Sequence, residues 1–365
     1  MVLRCVGAFG TLMVLAFSNS AVCQSTPVDA AVKPPAPNAT PVDQKPADKF
    51  KRWFEFDALA FSPRYRLIRD ASDETIGNAA QFQVVGRGHF KFDKKGRYSI
   101  HLGLYTGNNI TGGWNNTGWG TGDAQTNLYL KQLYFAAKPV DGLEIQVGGI
   151  GFNNGVATEV TGYDNDAYLT GERVSVRLPK KAYFDEISVT NGYLGDIRAP
   201  SVFGRLKHLN KSNFHQFLVK KVLNKHISFS ADYTFEGGRD FLRQAIKFKL
   251  PESGILDTIL FENYQRLDPD PGYGFSLYGE KTVHKKLVLG AGFARIDAPM
   301  FNADRFPPGN RFYASATWRL TREFSVTPFF IQAIGDLPTP TSQRTRFDLI
   351  FTFNILETLR RYKLH

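Results

Sequence analysis

Cysteine is almost missing: the 365 residues hold two, Cys5 and Cys23, both near the start. That excludes a small secreted domain stapled by disulfides. After residue 23 no apolar run approaches the length of about 18 residues that a membrane-spanning helix needs. A helical membrane protein is therefore excluded, although a chain that alternates apolar and polar residues can still cross a bilayer as strands. There is also no GxSxG and no HExxH, so the nucleophile–base and metallohydrolase signatures are missing and an enzyme is not expected.

The start of the chain carries Arg4, an apolar run from Val6 to Phe17 and small residues before Ala21-Val22-Cys23, the pattern of a secretory signal peptide over residues 1–23. Both cysteines leave with it. Residues 24–49, rich in Pro, Ala, Val and Asp, have no period and cannot bury a core, so they read as a periplasmic spacer. The formal charge of +11 becomes +10 without Arg4. Export argues against nucleic acid as the partner of this charge; a basic pore, or contact with anionic lipid headgroups, fits better.

What is abundant is alternation. In His226–Glu236, Ile227, Phe229, Ala231, Tyr233 and Phe235 fall on one face and Ser228, Ser230, Asp232, Thr234 and Glu236 on the other. The length matches one crossing by a tilted strand. Near residue 54 the same reading turns Phe54, Phe56, Ala58 and Ala60 towards lipid and Glu55 and Asp57 inward. Residues 79–93 put Phe82, Val84, Phe90 and Phe92 outward against Gln81, Gln83, Arg87, His89 and Lys91. Short polar turns, such as Lys94-Lys95-Gly96 and Leu223-Asn224-Lys225, alternate strictly with longer connections, among them 70–78, 107–125, 152–167, 192–211 and Gly237-Gly238. Counting the runs between them predicts an all-β transmembrane antiparallel barrel of about sixteen strands (fourteen to eighteen) over residues 50–356, with short periplasmic turns and longer external loops. Tyr98, Tyr183 and Trp318 by the turns, with Tyr105, Tyr168, Tyr193, Tyr264 and Tyr273 by the loops, form the two expected interfacial girdles.

The last predicted strand, Arg344–Ile355, turns Phe347, Leu349, Phe351, Phe353 and Ile355 out and Arg346, Asp348, Thr352 and Asn354 in, followed by a tail over 357–365. Arg346, Phe351 and Phe353 resemble the C-terminal assembly signal of bacterial outer-membrane barrels, which implies the barrel assembly machinery as a partner. Asp348 stands where that signal usually has Gly. Taken over Lys51–Ile355, the chain resembles the general porin class of sixteen-stranded barrels. That resemblance implies passive diffusion of small hydrophilic solutes, a constriction made in part by an infolded third loop, and homotrimers in the bacterial outer membrane.

The candidate site follows from charge. The connection FNNGVATEVTGYDNDA, from Phe152 to Ala167, holds Glu159, Asp164 and Asp166 and no cation. The inward faces offer Arg87, Lys91, Arg173, Arg177, Arg243, Lys247, Lys249, Arg319 and Arg346. An acidic loop folded against a basic wall would set a transverse field across a pore and favour anions; the bland reading leaves the loop outside. If the Lys94-Lys95-Gly96 hairpin pairs Phe90 with Ile100, His89 faces His101 in the lumen with Cβ atoms about 5 Å apart. Two imidazoles are too few for a zinc site, so no metal or cofactor is expected. Trp114 and Trp119 read as packing residues before sugar-stacking ones. The rivals to a channel are a barrel enzyme acting on lipids, with His215 as its loophole, and a secreted all-β carbohydrate-binding or adhesin protein.

Overall fold

The computed structural model describes residues 53–362, except 123, 164–165, 180–181, 252–253, 301–304, 338 and 340. The expected signal peptide and the spacer at 24–49 lie outside the described residues. Sixteen strands follow in order: β1 (Phe54–Asp70), β2 (Thr75–Lys91), β3 (Tyr98–Tyr105), β4 (Tyr129–Ala137), β5 (Leu143–Gly151), β6 (Tyr168–Arg177), β7 (Glu186–Tyr193) and β8 (Phe214–Asn224). The second half comprises β9 (Ile227–Glu236), β10 (Arg239–Lys249), β11 (Thr258–Asp268), β12 (Gly272–His284), β13 (Leu287–Ile296), β14 (Gly309–Arg319), β15 (Phe324–Ile334) and β16 (Gln343–Asn354). Each pairs antiparallel with its neighbours in sequence, and β1 pairs with β16, closing the barrel and leaving no strand edge.

Alternation sets the two faces. Phe261, Leu277, Phe293 and Phe312 are direct partners across β11 to β14 and form part of an outward apolar belt. Phe261, Leu277 and Phe312 remain exposed, as a surface meant for a non-aqueous neighbour would be. The predicted faces fail near the start of β1. A bulge between Phe56 and Ala58 shifts the β1–β2 register, pairing Ala58 with Arg87 and Ala60 with Val85. The extra residue reverses the parity, so Ala58 and Ala60 turn inward, along with Arg64 and Arg66 beyond them.

Connection lengths also differ from the expected strict alternation. On the loop side, β9 and β10 are joined by 237–238 and β11 and β12 by 269–271, shorter than the turn-side connections 178–185 and 250–257. The long connections 106–128, 152–167 and 194–213 crowd one sector, and the last carries a short helix, α1 (Val202–Leu206). The loop-side girdle is incomplete for a related reason. Tyr105, Tyr168 and Tyr264 are buried, the first donating its hydroxyl to Gln132 Oε1 at 3.2 Å and the second to the Pro200 carbonyl at 2.9 Å. Tyr98, Tyr183 and Trp318 at the turn side are exposed.

Two turn-side connections share one clasp. Asp185 accepts from Lys221 Nζ at 2.9 Å and the Val222 N–H at 2.6 Å, and Asp257 accepts from Lys281 Nζ and the Thr282 N–H, both at 2.7 Å. The last strand ends one residue earlier than expected: β16 stops at Asn354, whose side chain accepts from the Glu357 N–H and caps helix α2 (Ile355–Arg361), so Ile355 starts the helix. Leu356 is buried, and Arg361 reaches Glu323 at 3.2 Å.

Candidate constriction site

The described residues of the connection 152–167 lie inside the barrel, against the inward wall of β9 to β11. Its entry needs glycine at 155, where φ is +63° and a Cβ would lie 2.4 Å from Ser230 Oγ. From there the Val156 N–H donates to Ser230 Oγ at 2.9 Å. The next three residues are held by one carboxylate: Glu262 accepts from the N–H groups of Thr158, Glu159 and Val160 at 2.5, 2.9 and 2.6 Å. Arg243 ties the beginning of the segment down, bound to Asp232 at 2.8 Å, Asn154 Oδ1 at 3.0 Å and the Asn153 carbonyl at 3.3 Å. Phe152 stacks on Tyr163 at 4.2 Å, and the Tyr163 hydroxyl donates to Glu236. Burial and the Glu236 carboxylate push the Tyr163 phenol well above its usual range. A backbone that leaves the sheet must find new partners for its N–H groups, and the inward wall of β9 to β11 supplies them.

The connection 106–128 packs against the end of this one. Asp166 accepts from Gln83 Nε2 at 2.8 Å and from the Gly113 N–H, and Lys131 Nζ donates to the Gly112 carbonyl at 3.1 Å. The Arg64 guanidinium lies 4.0 Å above the Trp114 ring, so this tryptophan packs within the lumen, whereas Trp119 is exposed.

Between these loops and the wall of β1, β15 and β16 lies a space of about 480 Å³. Its lining includes Arg64, Arg66, Arg305 and Arg346 and two carboxylates, Glu159 and Asp348. Glu159 pairs with Arg305 at 2.5 Å. Asp348 accepts from Arg66 Nε at 2.7 Å and Arg346 Nε at 2.9 Å, with Arg64 at 3.8 Å. Four guanidinium groups against two carboxylates leave an excess of positive charge around this space. A second space, of about 570 Å³, lies near the turn side and is lined by Lys95, Arg97, Lys138 and Arg177 among others.

The sequence-derived residues divide. Glu159 and Arg346 line the space of about 480 Å³. Arg243 is buried beneath the loop, and Arg173 is held by Thr190 Oγ1, Gln146 Oε1 and the Gly151 carbonyl. Asp166 fastens two loops to the wall, Lys91 pairs with Glu55, and Arg177 lies exposed in the turn-side space. Arg87 shares the inward face of β2, opposite Ala58 and Gly103, and Lys247 that of β10, opposite Leu260 and Ser228. Asp164 lies outside the described residues. Sequence reasoning missed Arg64 and Arg66, because the bulge reverses their face, and Glu262, a lone carboxylate between inward Leu260 and Tyr264.

The β2–β3 register pairs Phe90 with Ile100 and His89 with His101, whose rings stack at 4.9 Å. On the outer face, Ser212 Oγ lies 3.3 Å from His215 Nε2 but donates to Asn191 Oδ1 at 2.6 Å. His215 packs on Phe235, with ring centroids 5.9 Å apart.

No family model matches the chain, and no curated protein does. Solved structures do. A variant of the Rhodobacter blastica porin is 15% identical with a TM-score of 0.52, covering 82% of this chain and 99% of that one. The low-pH structure of Pseudomonas putida OprB is 10% identical with a TM-score of 0.51, covering 84% of this chain and 94% of that one. At these identities the likeness is one of fold, a porin-like sixteen-stranded barrel.

Proposed function

We propose that this barrel is a diffusion channel of the bacterial outer membrane for small hydrophilic solutes, with a preference for anions, and that residues 152–167 form its constriction. The passage between the Glu159–Arg305 pair and the Arg64–Arg66–Arg346 group carries the reading. Charges that line a narrow, partly desolvated path act more strongly on a passing ion than exposed ones at the same distance. The apolar outer belt and the porin-like fold support a membrane setting. On this reading the longer connections face outside the cell, the belt meets lipid with lipopolysaccharide beyond it, and β16 is the strand offered to the assembly machinery. Homotrimers belong to the same proposal.

The test is the reversal potential in a KCl gradient across a planar bilayer. Glu159→Gln removes a passage carboxylate and should move the potential towards anions. Arg66→Gln combined with Arg346→Gln should move it towards cations. Equal potentials in wild type and both variants, with step-like openings retained, would sink the constriction. The second reading, a lipid-acting barrel enzyme, rests on Ser212 and His215. Lipid hydrolysis that is lost in Ser212→Ala, in protein showing no conductance, would favour it.

A further inference from the structure

Asp57, at the bulge in β1, stands at the turn-side end of the lumen. It keeps the inward face, where its carboxylate oxygens lie 3.0 and 3.1 Å from His89 Nδ1. His89 is in turn the direct cross-strand partner of His101 on β3. Three adjacent strands thus deliver one carboxylate and two imidazoles to one place, with potential ligand atoms of all three within 4.8 Å of one another. In a tetrahedral site with bonds of about 2.1 Å, ligand atoms stand about 3.4 Å apart. Closing on an ion therefore asks the farthest pair to approach by about 1.4 Å, which side-chain torsions can supply.

The surroundings suit ligation. His101 stacks on Tyr134 with ring centroids 4.7 Å apart and an interplanar angle of 1°, and Ser99 Oγ lies 2.9 Å from its Nε2. Outer contacts of this kind hold the ring plane and tautomer of a coordinating imidazole. Glu55 lies 3.9 Å from His89 Nε2 and pairs with Lys91, adding a second carboxylate close by. Two imidazoles with one carboxylate select late first-row divalent ions over calcium or magnesium, which prefer all-oxygen shells.

We propose that Asp57, His89 and His101 form a binding site for a late first-row divalent ion, which completes its coordination with water from the lumen. The site does not depend on the channel reading, because binding can be measured without conductance. A bound ion would place two positive charges near the turn-side mouth.

The probe is Zn²⁺, titrated calorimetrically into full-length protein purified without a histidine tag and stripped with chelator. One site per chain is expected. His89→Ala, His101→Ala and Asp57→Asn should each weaken it at least about tenfold, whereas His284→Ala should leave it unchanged. Mobility of the folded barrel in cold detergent gels checks that each variant has formed. In the wild type, Zn²⁺ should also shield His89 and His101 from diethyl pyrocarbonate, read residue by residue in a mass spectrometer, which needs no variant to fold. No binding by the wild type, undiminished binding by the doubly substituted His89/His101 chain, or absence of shielding would overturn the site. Loss in the histidine variants with undiminished binding by Asp57→Asn would overturn the three-ligand arrangement.

Discussion

Asp232 on β9 and Asp348 on β16 occupy inward positions, and each is bound to arginine, yet they serve different surroundings. Asp232 and its partner Arg243 are nearly inaccessible, at 4% and 6% of side-chain exposure, because residues 152–167 lie over them. Asp348 is as buried itself, at 1%, but its partners Arg66 and Arg346 keep 21% and 15% exposure and border the open space. Identical chemistry on identical strand faces is structural in the covered sector and faces water in the open one. A buried pair of this kind is weak evidence for net stability, since desolvation offsets much of the attraction. In the covered sector Arg243 holds a loop in place; in the open sector Asp348 spaces three like charges along a wall.

The largest effect should come from removing the anchor of the covered sector. Glu262→Ala strips the acceptor from three consecutive N–H groups, each costing about 1–3 kcal/mol if left buried and unpaired. The loop should release, single-channel conductance should rise, and unfolding free energy should fall by at least about 3 kcal/mol. Conductance and denaturant midpoint both equal to wild type would erase the distinction between the sectors.

A smaller effect compares like with like. Ser230→Arg places a long side chain beneath the loop, where overpacking costs about 1–3 kcal/mol. Thr327→Arg places one on the open wall, beside the passage, at a cost of about 0.5 kcal/mol or less. Equal shifts in reversible unfolding would mean that the loop does not shield one sector from the other.

The smallest effect lies at the turn side, where the two sectors are alike. The Val222 N–H and then Lys221 hold the Asp185 carboxyl below its ordinary value of 3.8. For Asp257, burial acts to raise the value, but Lys281 and Thr282 outweigh it and the result is again lowered from 3.8. A depressed carboxyl contributes stability that is present above its unfolded value and lost as pH falls through the folded one. Thermal stability should therefore decline below about pH 4, and less steeply in the Asp185→Asn, Asp257→Asn double variant. Parallel curves for wild type and variant would show that the clasps carry none of the acid sensitivity.

Much of the barrel was legible because side-chain alternation is local. The Phe90–Ile100 and His89–His101 pairs follow from one tight turn, and the outward positions of Phe229, Ala231 and Tyr233 follow from period two alone. The bulge after Phe56 was not legible, since Asp57-Ala58-Leu59 carries no glycine or other mark of an inserted residue. Its consequences reach far: one extra residue turns Arg64 and Arg66 inward, where they line the space beside β16. The terminal helix was missed because Ile355 continues the apolar alternation of β16, and only the cap from Asn354 ends it.

By itself, the sequence determined that the chain is a sheet of about sixteen antiparallel strands with one apolar face, because each strand's period and each turn's chemistry are set by neighbours a few residues away. Tertiary structure alone decided which inward residues meet water. Val156 finds Ser230 across 74 residues and Thr158 finds Glu262 across 104, contacts that no local pattern encodes. Whether an inward arginine lines a passage or lies sealed under a loop depends on where that distant segment comes to rest. Its resting place is set by backbone N–H groups that must find acceptors once they leave the sheet.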